Sequence, residues 1–145
     1  MLSKPVMLKM FIVPLLFALL LSMAVPALAG NPHFVGTPSI TRTGDSLQVS
    51  GKVAGLGNEE QINVEVTALA ECVNRGGNKP SADNKDEVSV DGQFPVQNGK
   101  AYFDLTLDGG EQIDPECSPP MSIVYSDVVV TVDVGNLVYA APGTF

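Results

Sequence analysis

In the run Ile62-Asn63-Val64-Glu65-Val66-Thr67-Ala68-Leu69-Ala70-Glu71, apolar and polar side chains alternate almost without a break. Ile62, Val64, Val66, Ala68 and Ala70 fall on one side of an extended chain, and Asn63, Glu65 and Thr67 fall on the other. A period of two marks a strand with one buried face, because successive side chains of a pleated chain point to opposite sides. The same period recurs in both directions from this run. Leu47, Val49 and Val53 alternate with Gln48, Ser50 and Lys52 on its N-terminal side. On its C-terminal side Phe103, Leu105 and Leu107 alternate with Asp104, Thr106 and Asp108, and Val128, Val130 and Val132 with Val129, Thr131 and Asp133. Beyond residue 29, no window of ten or more residues holds a 3.6-residue apolar repeat free of Gly and Pro, so no long helix is expected.

Turn chemistry separates these runs. Thr43-Gly44-Asp45, Gly55-Leu56-Gly57-Asn58, Asp108-Gly109-Gly110 and Gly135-Asn136 stand between them. Asp91-Gly92 and Asn98-Gly99 are dipeptides that accept positive φ, and both read as tight hairpin turns. Strands are predicted near 39–42, 46–54, 61–71, 86–90, 100–107, 122–134 and 137–140. About seven short strands, with turns every 8–12 residues or so, predict an all-β, antiparallel, immunoglobulin-like β-sandwich; a small closed barrel is the alternative. The chain has no tryptophan, so the packed Cys-Trp-Cys core of antibody domains is missing and the immunoglobulin likeness is architectural.

Residues 1–29 read differently from the rest. Lys4 and Lys9 precede an almost wholly apolar run from Met10 to Val25, and Pro26-Ala27-Leu28-Ala29 places small residues at −3 and −1 before Gly30. This is the pattern of a cleavable secretory signal helix, and the run is short against the ~20 residues that span a bilayer. The expected organisation is a signal peptide over 1–29 and one β-sandwich domain over 30–145, secreted or held in the cell envelope, with no membrane span after cleavage. Six Lys and Arg face sixteen Asp and Glu in 30–145, a balance of −10. Such a surface repels phosphate backbones, which excludes nucleic acid as a partner.

Cys72 and Cys117 are the two cysteines of the chain. In an exported domain a pair most often bridges. Cys72 directly follows the third predicted strand and Cys117 precedes the sixth. In an immunoglobulin-like sandwich those strands are antiparallel neighbours, so both cysteines fall at one pole. A bridge across their separation of 45 residues would stabilise the fold by about 4 kcal/mol in the chain-entropy view. It would also tie together two long loops, Asn74–Asn84 and Gly109–Pro120. Asn74, Arg75, Asn78, Asp83 and Asn84 in the first loop are the candidate ligand-binding residues, since their amides, carboxylate and guanidinium suit a polar ligand.

Little catalytic chemistry is on offer. The one histidine, His33, lies four residues into the mature chain and reads as an ordinary polar residue near the first strand. No G-x-S-x-G, H-E-x-x-H, P-loop or dinucleotide fingerprint occurs. Glu59-Glu60, Asp86-Glu87 and Asp114/Glu116 are carboxylate pairs that read first as a solvated acidic surface, and secondarily as the machinery of a small secreted hydrolase. Asp83, Asn84, Asp86 and Glu87, and separately Asp108, Glu111, Asp114 and Glu116, offer hard oxygens for calcium, but neither follows the EF-hand spacing. No cofactor and no catalytic residue is therefore assigned.

Several segments are shared in kind with a known group. Asn31-Pro32-His33-Phe34, Ala54-Gly55-Leu56-Gly57, Cys72-Val73-Asn74-x-Gly76-Gly77-Asn78-x-Pro80, Cys117-x-Pro119-Pro120 and Pro142-Gly143-Thr144-Phe145 together resemble a family of small exported bacterial proteins of uncharacterised function. The resemblance implies export and a small compact domain, and transfers no catalytic residue. The sequence thus predicts a non-enzymatic, secreted or cell-surface β-sandwich with a binding or structural role toward an extracellular partner. A calcium- or carbohydrate-binding module is the alternative.

Overall fold

The computed structural model describes residues 30–77, 84–114 and 116–145. The expected signal peptide, 1–29, lies outside the described residues. Among them, eight strands form two antiparallel sheets of four strands each. They are β1 (His33–Phe34), β2 (Ser39–Thr43), β3 (Ser46–Ala54), β4 (Gln61–Val73), β5 (Lys85–Pro95), β6 (Lys100–Asp108), β7 (Ser122–Val132) and β8 (Leu137–Ala140). A short 3-10 turn, Val134–Asn136, links the last two.

The first sheet is centred on β3. β6 pairs with its whole length, from Ser46↔Asp108 to Ala54↔Lys100. β1 and β2 share the opposite edge end to end: β2 pairs with residues 46–50, and β1 with Val53 and Ala54. The second sheet runs β5-β4-β7-β8. The alternation read from the sequence is what makes the two sheets face each other. Leu47, Val49 and Val53 from β3 and Phe103 and Leu107 from β6 are buried with Ile62, Val64 and Val66 from β4 and Val128, Val130 and Val132 from β7. Burial of branched side chains on both inner faces drives the association, at roughly 1.5–3 kcal/mol for each large residue taken from water.

Two expectations are corrected. Asp91-Gly92 is not a hairpin turn: β5 continues through it, with Asp91 opposite Glu65 and Gly92 opposite Val64. The glycine serves packing instead, because a Cβ there would stand 3.0 Å from Leu105 and 3.3 Å from Phe94. Local turn propensity yields to thirteen-residue β4, which offers β5 a partner along its full length. The second correction is a strand absent from the predicted set, around His33. His33 and Phe34 form β1, and Gly55, at φ +73, approaches Asn31 so closely that a Cβ would lie 1.9 Å from its carbonyl oxygen. Phe34 packs edge-on against Phe103 and Tyr139, with ring centroids 6.5 and 6.3 Å apart. The Asn98-Gly99 turn is as expected, with both residues at positive φ between Gln97 and Lys100.

The chain end is held in the same way. Phe145 exchanges both backbone hydrogen bonds with Tyr125, at 2.9 and 3.0 Å, and so extends the β7 edge beyond β8.

Candidate functional site

Cys72 and Cys117 are joined by a disulfide, with Cα atoms 5.5 Å apart. Cys72 lies within β4, opposite Ile123 of β7, so the two strands are antiparallel neighbours and the bridge sits where they begin and end. Beside it Glu71 is buried, and its carboxylate lies 3.7 Å from Lys85 Nζ on the paired position of β5.

The described start of the first loop is a turn built on Asn74. Asn74 Oδ1 accepts from the Gly76 amide at 3.1 Å, and its carbonyl accepts from the Gly77 amide at 2.9 Å. Asparagine satisfies the backbone of its own turn here, which is a structural use of the side chain. Arg75 is exposed, and Asn84 is half-buried one residue before β5 begins. Asn78 and Asp83, the other two candidate ligand residues, lie outside the described residues.

The second loop also closes on the protein. The Gly109 carbonyl accepts from both Gln112 and Ile113, which makes a single tight coil, and Ile113 is buried in the core. From this coil Gln112 Oε1 accepts from the Ser89 amide at 3.0 Å, while the Asp114 amide donates to Asp86 Oδ2 at 3.1 Å. Both contacts fall on β5, an edge strand whose free amides would otherwise be open to another chain. Asp108 Oδ1 accepts from Gly110, so this carboxylate too is engaged locally. Among the described residues no three His, Cys, Asp or Glu side chains converge on a point that could hold a metal ion, and Asp83 of the first carboxylate cluster lies outside them.

Tyr125 locks the Gly109 coil to the first sheet. Its ring is fully buried, its hydroxyl accepts from the Gly109 amide at 2.8 Å, and it donates to the Asp45 carbonyl. Burial pushes the phenol up from its ordinary value, partly offset by the hydrogen bond from Gly109.

A different region offers groups that the fold leaves unused. Between β1 and β2 on the edge of β3, beside Val35, Thr37 and Ser39, lies an open hollow of about 550 Å³. Gly51 and the rings of Phe94 and Phe103 form its apolar part. Tyr102, 67% exposed, stands at its rim on the solvent face of β6, directly opposite Lys52. Lys52 Nζ is 5.0 Å from the ring centroid, and its hydrogen bond and positive charge hold the phenol below the ordinary tyrosine range. Gln48 Nε2 reaches both oxygens of Asp104 at 3.0 Å and so fixes that carboxylate in place. Thr37, Ser39 and Ser50 also line the hollow, and their hydroxyls make no hydrogen bond among the described residues.

This face is not among the sites expected from the sequence. Its signal was present in the alternation of β6, which puts Tyr102 among Lys100, Asp104 and Thr106 on the polar side, where an aromatic ring finds no core to join. What the sequence could not supply was the break between β1 and β2 that opens the hollow. No protein-family model matches the chain, and no curated protein matches it.

Proposed function

We propose that this protein is an exported, non-catalytic immunoglobulin-like β-sandwich that acts by binding a partner outside the cell or in its envelope. The leader pattern over 1–29 and the resemblance to small exported bacterial proteins support export. The strand order supports the immunoglobulin-like reading: β3 pairs with β6 in one sheet, and the other runs β5-β4-β7-β8. Tyr125 on β7 reaches back through its hydroxyl to Gly109, much as the tyrosine corner of such domains does.

The observation that carries the binding reading is the contrast in polar groups. At the disulfide pole Asn74 and Gln112 accept from backbone amides of Gly76 and Ser89, while a hollow on the first sheet gathers an exposed aromatic ring and hydroxyls without a hydrogen bond among the described residues. Binding sites on rigid scaffolds have this character, since ordered strands hold the contact groups without further loss of entropy. A non-catalytic role is favoured because His33 is exposed, with Nδ1 2.8 Å from the Asn31 carbonyl oxygen and no carboxylate beside it among the described residues. The test is a pull-down with the protein recovered after export of the full chain, against cell-wall, glycan and host-matrix preparations, with and without calcium. Saturable retention on one class is expected. Absence of retention on all of them would leave only a structural role.

A further inference from the structure

The geometry points to the solvent face of β3 and β6 around Tyr102 as a binding site for an uncharged polysaccharide chain. This rests on the binding reading above and names its ligand class. A sugar ring presents axial C–H groups on its faces and hydroxyls around its rim, so it needs a flat aromatic surface beside fixed donors and acceptors. Tyr102 supplies the ring and is 67% exposed; Lys52 Nζ lies over one face, 5.0 Å from the centroid, so a sugar would stack on the opposite face. Its orientation is fixed by Lys52 on the paired strand. Asp104, held by Gln48, retains acceptor capacity for ligand hydroxyls, since a carboxylate offers about four lone-pair positions and two are in use. Ser39, Ser50 and Lys52 add donors around the same hollow.

Charge selects among occupants. Lys52 and Asp104 cancel within the hollow, while residues 30–145 carry sixteen acidic against six basic side chains, so a polyanion meets repulsion and no compensating patch. An extended peptide would gain most of its affinity by adding to a free strand edge. On the β3 side that edge is taken by β1 and β2, with Val35 donating to the Lys52 carbonyl at 2.8 Å, while the outer edge of β6 pairs with no strand among the described residues, so a peptide adding there is the outcome that the protease arm below detects. A chain that binds through faces and rims needs no backbone ladder. The hollow is open rather than enclosed, which suits an internal segment of a polymer.

Cellohexaose, chitohexaose and laminarihexaose are titrated into the exported protein and followed by two-dimensional amide NMR, in parallel with retention on cell-envelope material. The expected result is saturable movement of the Ser50–Lys52 and Tyr102–Asp104 signals with at least one hexasaccharide, and elution of retained protein by that same sugar. Tyr102→Ala should weaken binding about tenfold or more, and Tyr102→Phe less than about threefold, because stacking survives in the second variant. Both should melt with the wild type, since the ring is outside the core. Retention that no hexasaccharide reverses, or retention lost only when the envelope material is treated with protease, overturns the saccharide site and leaves the binding reading standing. Unchanged sugar affinity in Tyr102→Ala also overturns the site. Failure of retention and of titration together overturns both.

Discussion

The disulfide pole and the Tyr102 face are both polar regions of one small protein, yet they use their polar groups in opposite ways. At the pole, Asn74, Gln112, Asp86 and Asp108 accept from nearby backbone amides, and Ile113 is driven into the core. The connection after β6 covers the β5 edge there through Gln112 and Asp114. On the Tyr102 face, regular strands hold a tyrosine in solvent and leave hydroxyls unengaged. Loop length and polarity alone therefore do not tell which polar groups stay unengaged. A polar side chain is available to a ligand only if the backbone around it is already satisfied, and strands satisfy their backbone with each other while loops recruit side chains to do it.

Four measurements press on this contrast. The largest effect belongs to the pole. Replacing Cys72 and Cys117 together with alanine should cost about 4 kcal/mol in chemical unfolding, because a closed span of 45 residues is released in the unfolded chain. A loss below about 1 kcal/mol would mean that the loop contacts to β5 hold the pole without the bridge.

Gly51→Ala tests how tightly the floor of the Tyr102 face is built. A Cβ at this position would lie 2.6 Å from Phe103 Cζ, and the ring is itself packed edge-on between Phe34 and Phe94. The expected loss is about 2 kcal/mol, from overpacking. An unaltered melting temperature would show that the Phe103 ring can yield.

Tyr125→Phe tests the link between the Gly109 coil and the first sheet. It removes the acceptor of the Gly109 amide in a buried position, with an expected loss of about 1–2 kcal/mol. Its pH dependence carries a sign. The folded phenol titrates above its ordinary value of 10.0, so above that pH the unfolded chain releases a proton that the folded protein keeps. Wild-type stability from this group is complete below pH 10 or so and declines as pH rises through the folded pKa. The gap between wild type and Tyr125→Phe should accordingly narrow in denaturant titrations taken above about pH 10, and a gap that widens there would contradict the raised phenol.

The smallest effect belongs to the exposed ring. Tyr102→Ala should change folding stability by no more than about 0.5 kcal/mol, since the side chain lies outside the core and only Lys52 leans on it. A larger loss would make Tyr102 a structural residue and blur the division between the two regions.

Much of this was legible in the residues. The period of two in Ile62–Ala70, Leu47–Val53, Phe103–Leu107 and Val128–Val132 specifies which face of each strand is buried, because the pleat leaves no other arrangement. It does not say where a strand stops when its partner is long. Asp91-Gly92 has the chemistry of a turn, but β4 offers hydrogen bonds past that point and β5 takes them. The two cysteines, lying at the end of one run and ahead of another, were enough to anticipate a bridge, since only antiparallel neighbours put those ends together. The candidate residues Asn74, Arg75 and Asn84 were chosen by polarity, and polarity is a property of composition. Whether Asn74 faces a ligand or its own turn depends on which amides the surrounding backbone leaves unpaired. The hollow beside Tyr102 depends on a longer-range fact still: β1 and β2 meet the same edge of β3 and leave a gap at Gly51, a consequence of pairing between segments that no local pattern records. Sequence by itself determined the faces and the bridge, through local geometry; tertiary structure decided which polar groups remain unused, because that is settled only when every strand has found its neighbour.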